Sequence, residues 1–296
     1  MAQSKWVASR LLELAGGPAF ELFTIKTGGD SQRGGTAGAA AAPAPTLGDG
    51  IFVKEIQKAL LSGEIDLAVH SLKDMPTDPV KGLIIAAIPV REDPSEALVG
   101  STLAALAAGA RVGTASPRRV AQMRRIRPDL DVVPIHGNVP TRIERVLSGE
   151  FNAAMLASAG LRRLGIPADE ILDPGVVLPA PGQGALAIEV REEDGDLAAL
   201  AGRLHDPATH SAVAAERRVL SELGGGCLLP IATWGRVEGT GSAARLVLDA
   251  AVTSADGREQ IRESADDEPA RYLPLAKKVA RALIGRGARA MLEASF

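Results

Sequence analysis

The chain has 296 residues, with one cysteine, four histidines, 3% aromatic residues and a formal net charge of -3. That length accommodates two or three domains of roughly 100 residues each. The near balance of charge excludes a general electrostatic pull toward nucleic acid or anionic membrane, and a single cysteine excludes an internal disulfide.

In chain order, the N-terminal stretch Met1-Ala2-Gln3-Ser4-Lys5-Trp6-Val7-Ala8-Ser9-Arg10 lacks the unbroken apolar run of a signal peptide. No later stretch approaches the roughly 20 apolar residues of a spanning helix, so a cytoplasmic protein is expected. Val7, Leu11 and Leu14 recur at helical spacing, residues 21–27 read as a strand, and Val53, Ile56 and Leu60 mark a second amphipathic helix. Between them, residues 31–45 are rich in Gly, Ala, Pro and Ser without periodicity, which predicts a loop over 30–50 of the kind that covers a site. Residues 65–69 form a short apolar strand. From 91 to 179 strands near 110–113, 131–135 and 152–156 are each followed by a helical stretch, the rhythm of a parallel sheet. After residue 191 the pattern changes to a helix over 210–223, strands near 231–237, 245–252 and 259–263 with Asp256-Gly257 as a hairpin turn, and a closing helix marked by Leu275, Val279 and Leu283.

Cys227 ends the glycine run Gly224-Gly225-Gly226-Cys227. Glycines let the backbone turn tightly, so the thiol is presented on a loop; packing, redox sensing, nucleophilic catalysis and covalent attachment of a group all remain open to it. Four further segments follow strands: His70-Ser71-Leu72-Lys73-Asp74-Met75-Pro76, Gly113-Thr114-Ala115-Ser116-Pro117-Arg118-Arg119, His136-Gly137-Asn138-Val139-Pro140-Thr141-Arg142 and Ala157-Ser158-Ala159-Gly160-Leu161-Arg162-Arg163. In open α/β sheets, ligands sit beyond the carboxyl ends of strands, and arginines on separate turns suit a ligand with several carboxylates or phosphates. Taken alone, Arg118, Arg119, Arg124, Arg125 and Arg127 also read as a solvated helix face or a nucleic-acid contact, though interleaved aromatics are lacking. His70 reads as a hydrogen-bonded structural histidine, and no metal site is expected from ligand spacing. Asp74, beside Lys73, reads either as half of a surface ion pair or as a carboxylate projecting into a cleft.

The first three of these segments, the third from Gly137, with Pro179-Ala180-Pro181-Gly182-Gln183-Gly184-Ala185 and Gly225-Gly226-Cys227, resemble in order and over nearly the whole chain the porphobilinogen deaminase (hydroxymethylbilane synthase) family. The resemblance implies an α/β fold of three domains: 1–88 with 187–203, then 92–182, both similar to periplasmic binding proteins, and a small α+β domain over 206–296 with a three-stranded antiparallel sheet. It implies a transferase of tetrapyrrole and haem biosynthesis that joins four porphobilinogen molecules head to tail on a dipyrromethane cofactor. Cys227 would hold that cofactor through a thioether. By resemblance Asp74 is the catalytic carboxylate, also touching the cofactor. Lys73, Ser116, Arg118, Arg119 and Arg142 bind the cofactor, and Arg163, Arg217 and His136 the substrate. A cytoplasmic monomer without nucleic-acid or membrane partners is implied.

The sequence departs from the family's pattern at three places. A strand carrying an arginine and Ser-x-Leu-Ala is expected ahead of the first helix, so an upstream segment is expected to precede Met1. Two lysines usual in the loop align near Pro45 and Asp49, and His136 stands where an arginine usually precedes Gly-Asn-Val. The alternatives are a catalytically impaired or N-terminally truncated paralogue, and a solute-binding or effector-sensing protein, which would leave Cys227 without a role.

Overall fold

The computed structural model describes residues 1–15, 20–25, 51–225 and 229–294. It divides into two compact units, one of Met1–Val90 with Leu186–Asp206 and one of Arg91–Ala185 with Pro207–Phe296. The expected loop over 30–50, Pro45, Asp49 and Cys227 lie outside the described residues.

In the first unit, helices α1 (Ala2–Ala15) and α2 (Ile51–Leu61) form where the apolar spacing predicts. Val7 and Leu11, one turn apart, are buried, as are Val53 and Leu60 of α2. Strand β1 (Leu67–Ser71), two residues later than its apolar run suggests, alternates its burial and turns Ala68 and His70 inward. It pairs antiparallel with β8 (Leu186–Arg191), which also pairs with β2 (Leu83–Ala87), giving the order β1-β8-β2. The central strand β8 is apolar except for Glu189 and the terminal Arg191, and is buried along nearly its whole length. Helix α6 (Gly195–Gly202) adds Ala201 to the core of Val7, Leu11, Ala87, Leu186 and Ile188. Residues 21–25 belong to no strand, contrary to the sequence expectation, because strand-forming residue types alone form no ladder without a hydrogen-bonded neighbour.

The second unit has two sheets. The first, in the order β5-β4-β6-β3-β7, holds β3 (Glu96–Val99), β4 (Arg111–Gly113), β5 (Asp131–Val133), β6 (Ala153–Ala157) and β7 (Glu170–Leu172). The three strands read from the βα rhythm, β4, β5 and β6, run parallel. β3 inserts antiparallel between β6 and β7, so the sheet is mixed. Helices α3 (Pro117–Ile126), α4 (Val139–Leu147) and α5 (Ser158–Arg163) follow the parallel strands.

The second sheet is antiparallel, with β10 (Arg245–Thr253) between β9 (Ile231–Glu238) and β11 (Gln260–Asp267). Its core includes Val219 of α7 (Pro207–Glu222), Leu248 and Ala250 of β10, and Leu275, Val279 and Leu283 of α8 (Tyr272–Gly285), with α9 (Ala288–Glu293) closing the chain. The Asp256-Gly257 turn seats on α3: Gly257 has φ 79°, and a Cβ there would lie 2.7 Å from the Arg125 nitrogen. Arg124 donates to the Ala255 carbonyl at 2.9 Å beside it. No helix among the described residues is long and apolar enough to cross a membrane.

A candidate anion-binding site at the ends of the parallel strands

Because β4, β5 and β6 are parallel, their carboxyl ends share one edge of the sheet, and the first turns of α3, α4 and α5 follow there. Ser116 stands at the N-cap of α3 in extended conformation, yet its side chain makes no capping hydrogen bond, and Pro117 occupies the first turn. The hydroxyl and the helix N-terminus are thus both free to meet an anion. Asn138 does cap α4, accepting from the Thr141 amide at 2.9 Å. Gly137, with φ 112°, packs where a Cβ would meet the Thr141 side chain at 2.9 Å. That tight turn brings the Gly137 carbonyl within 2.9 Å of Arg142 Nε.

The arginines fall into two kinds. Arg118 and Arg119, 4% and 6% exposed, share the fully buried carboxylate of Glu96 at the head of β3. Arg118 Nη2 lies 2.5 Å from Glu96 Oε1 and Arg119 Nη2 lies 2.7 Å from Oε2. Gln183 Nε2 donates to the same Oε1 at 3.0 Å. Arg118 also donates to the Leu178 carbonyl at 2.8 Å and Arg119 to the Met155 carbonyl at 3.1 Å, while Arg119 Nε is buried without a hydrogen-bond partner among the described residues. Two guanidiniums on one carboxylate leave a net positive charge. Burial, opposed by Glu96 and aided by Arg119, shifts the Arg118 pKa down.

Arg142 and Arg163 are of the second kind. Both are half-buried, and neither makes an ion pair among the described residues. Burial and then the Arg119 charge lower the pKa of Arg142; burial, partly offset by Glu92, lowers that of Arg163. Arg163 Nη2 donates to the Gly184 carbonyl at 2.6 Å. Gly184 is required there, since φ is 86° and a Cβ would collide with the Glu92 carbonyl. Half-buried cations without a directly paired carboxylate are poised for an anionic ligand. Ser116, Arg142 and Arg163 thus offer donors suited to a ligand that bears several carboxylates.

The remaining candidates are placed as follows. In the first unit, Lys73 and Asp74 sit on the single 3-10 turn Leu72–Asp74 after β1, closed by the Met75 amide on the Leu72 carbonyl at 3.2 Å. Asp74 is exposed and makes no hydrogen bond or ion pair with the described residues; Lys73 is half-buried. The turn is anchored from beneath. His70 Nε2 lies 3.0 Å from Glu189 Oε2, both buried, and Gln57 donates to Glu189 Oε1 at 2.9 Å, so His70 is the hydrogen-bonded structural histidine expected. Gln3 of α1 donates to the Ser71 hydroxyl at 2.8 Å. In the second unit, His136 is exposed on the loop before α4, and Arg217 is half-buried on α7. Among the described residues, no cluster of three or more His, Cys, Asp or Glu could hold a metal ion.

Upstream of Cys227 the described residues show how α7 ends. Gly224 adopts φ 92°, and Gly225 donates to the Leu220 carbonyl at 2.9 Å, where a Cβ on Gly225 would lie 2.9 Å from the same oxygen. Sequence reasoning missed Glu96, Arg91, Glu216 and Gln122. Glu96 carried one signal, a lone charge heading the apolar run Glu96-Ala97-Leu98-Val99.

Residues 1–199 match the family model described as porphobilinogen deaminase, dipyromethane cofactor binding domain, and residues 210–285 match that of the porphobilinogen deaminase C-terminal domain. A porphobilinogen deaminase of Thermus thermophilus is 44% identical over 99% of this chain and 94% of its own length. One of Nocardia farcinica is 43% identical over 99% of this chain and 84% of its own. Among solved structures, a VFT2 domain of Bordetella pertussis BvgS overlaps 69% of this chain and 76% of that chain at 17% identity and a TM-score of 0.39.

Proposed function

The chain belongs to the porphobilinogen deaminase family, and from that membership we propose that it is a transferase that joins four porphobilinogen molecules head to tail, releasing ammonia and hydroxymethylbilane. The observation that carries the reading is the pair of half-buried guanidiniums, Arg142 and Arg163, which lack a carboxylate of their own at the end of a parallel sheet. Porphobilinogen and its oligomers carry an acetate and a propionate on every pyrrole, so each condensation adds carboxylates that need fixed positive partners.

Dipyrromethane, when bound, supplies the nucleophilic pyrrole end to which substrate is added. Cys227 holds it through a thioether, and Lys73, Asp74, Ser116, Arg118, Arg119 and Arg142 bind it. Arg163, Arg217 and His136 bind substrate carboxylates. Loss of ammonia from porphobilinogen leaves a cationic azafulvene, and the exposed Asp74 carboxylate stabilises that cation and accepts hydrogen bonds from pyrrole N–H groups. The rigid support of its turn by His70, Glu189 and Gln57 suits this role, since a preorganised charge costs no reorganisation as the cation forms. The division into 1–88 with 187–203, 92–182 and 206–296, the first two similar to periplasmic binding proteins, belongs to the same reading. Separate apolar cores beneath the three sheets support it. A cytoplasmic location, a monomeric state and the lack of a nucleic-acid partner belong to the same reading and fit a biosynthetic enzyme of slightly negative charge.

Incubation of the purified chain with porphobilinogen tests the reading. Release of four ammonia molecules per linear tetrapyrrole is expected. A chain that binds porphobilinogen and releases no ammonia would be a binding protein instead.

A further inference from the structure

Leu178 is the meeting point of three elements in the second unit. Its carbonyl accepts from Arg118 Nη1 at 2.8 Å and from Gln122 Nε2 at 2.9 Å, and its amide donates to Gln122 Oε1 at 2.9 Å. Its neighbour Pro179 accepts at its carbonyl from the Thr233 amide of β9 at 3.0 Å, and the Leu178 side chain packs on Ala232 and Ala251. Gln122 is 2% exposed and lies one helical turn beyond Arg118 on the same face of α3. Its side-chain amide pairs with Leu178 as a backbone amide would in a sheet ladder. The segment at 177–179 is thereby held to the arginine turn on one side and to β9 on the other. In sequence, β9 follows shortly after Cys227.

We propose that Gln122 is a positioning residue: by locking Leu178 it fixes the register between the first turn of α3, with Ser116, Arg118 and Arg119, and β9, the strand that follows Cys227 in sequence. The inference rests on the proposed function, because it assigns the register to the binding of the carboxylate-bearing substrate and cofactor. A buried glutamine with only a packing role would support stability and nothing else. A positioning role moves substrate binding, because displacing Arg118 from Leu178 alters where the guanidinium charge sits without touching the reacting atoms.

Two variants and one measurement on the parent protein test this. Gln122→Met keeps the shape and removes both bonds to Leu178. Gln122→Glu keeps the acceptor for the Leu178 amide and replaces the donor to its carbonyl with an oxygen, so it breaks one of the two bonds. With kinetics normalised to the fraction of chains carrying the pyrrole adduct by denatured mass, both variants are expected to raise KM for porphobilinogen roughly tenfold while kcat stays within about twofold. The adduct-bearing fraction is also expected to fall. A lowered melting temperature with unchanged KM and adduct fraction would overturn the proposal. In the parent, hydrogen exchange at the Leu178 and Thr233 amides should slow together when porphobilinogen is added, whether or not a variant folds. Slowing at one amide without the other would also overturn the proposal. A parent that consumes porphobilinogen beside variants with unchanged KM refutes the positioning role alone, whereas a parent that consumes none refutes the functional reading and this inference with it.

Discussion

Arg91 and Glu216 form a two-pronged ion pair, Nη1 to Oε1 at 2.7 Å and Nη2 to Oε2 at 3.1 Å, with the carboxylate fully buried. Glu216 also accepts from the amides of Gly182 at 2.6 Å and Gly235 at 2.7 Å, and Arg91 Nε donates to the Gln183 carbonyl at 2.7 Å. The pair therefore ties the segment before β3, the Gly182-Gln183-Gly184 turn, α7 and β9 into one body. Removing one partner leaves an uncompensated buried charge, so Arg91→Ala should cost about 3–5 kcal/mol. Urea unfolding at neutral pH would measure it. A loss below about 1 kcal/mol, the scale of a surface pair, would show that the network tolerates the vacancy.

Asp74 has the opposite profile, exposed and without a partner among the described residues. Asp74→Asn keeps its shape and removes its charge. Turnover should fall by about 10² or more while the melting temperature stays unchanged, because a preorganised counter-charge is worth most in the transition state. Steady-state kinetics and a thermal melt of the same preparation would decide it. Parent-like turnover would move the role of counter-charge to another residue.

Arg142 is held near Arg119 without a carboxylate of its own, and burial and the neighbouring charge both disfavour its charged form. Arg142→Met should therefore leave the ligand-free protein as stable as the parent or more so, while impairing the binding of carboxylates. The expected signature is an unchanged or raised melting temperature together with a lowered fraction of chains carrying the pyrrole adduct by denatured mass, as for the loss of a charge-assisted hydrogen bond to a cofactor carboxylate. A variant that melts lower and carries the adduct at the parent's fraction would make Arg142 a structural residue.

Asp93 offers a pH test. Burial alone would raise its pKa. The Ser95 amide at 2.9 Å, the Ser158 hydroxyl at 2.8 Å and Arg162 at 3.1 Å outweigh that and hold it below the ordinary carboxylate value. A carboxyl whose folded pKa is depressed contributes stability above its unfolded pKa and loses that contribution as pH falls through the folded value. Melting temperatures of the parent should thus drop as pH falls below roughly 4, and those of Asp93→Asn should drop less over the same range. Parallel curves would remove Asp93 from the account.

Much of this was legible locally. Val7 and Leu11, the parallel strands β4 to β6 and the antiparallel β9 to β11 follow from period and turn chemistry, and the segments that end those strands carried the candidate residues. What stayed hidden depends on distant partners. Nothing near Glu96 announces that β3 will pair with β6 and β7, which come later in the chain. The arginines at 118 and 119 were visible, but their shared counter-charge lies 22 residues before Arg118. Residues 21–25 include the strand-forming Phe23, Thr24 and Ile25, yet a strand is a relationship with a neighbour and these pair with none of the described residues. Gln122 gave no signal, because a glutamine on a helix looks the same whether it meets water or a backbone segment far along the chain, as here at Leu178.

The central claim, that this chain carries its pyrrole cofactor on Cys227, is tested most directly by the intact mass of the denatured protein. The parent should show the increment of one dipyrromethane, and Cys227→Ser should be folded by circular dichroism and show the bare chain mass. A parent without the increment after incubation with porphobilinogen, or a serine variant that keeps it, would contradict the account.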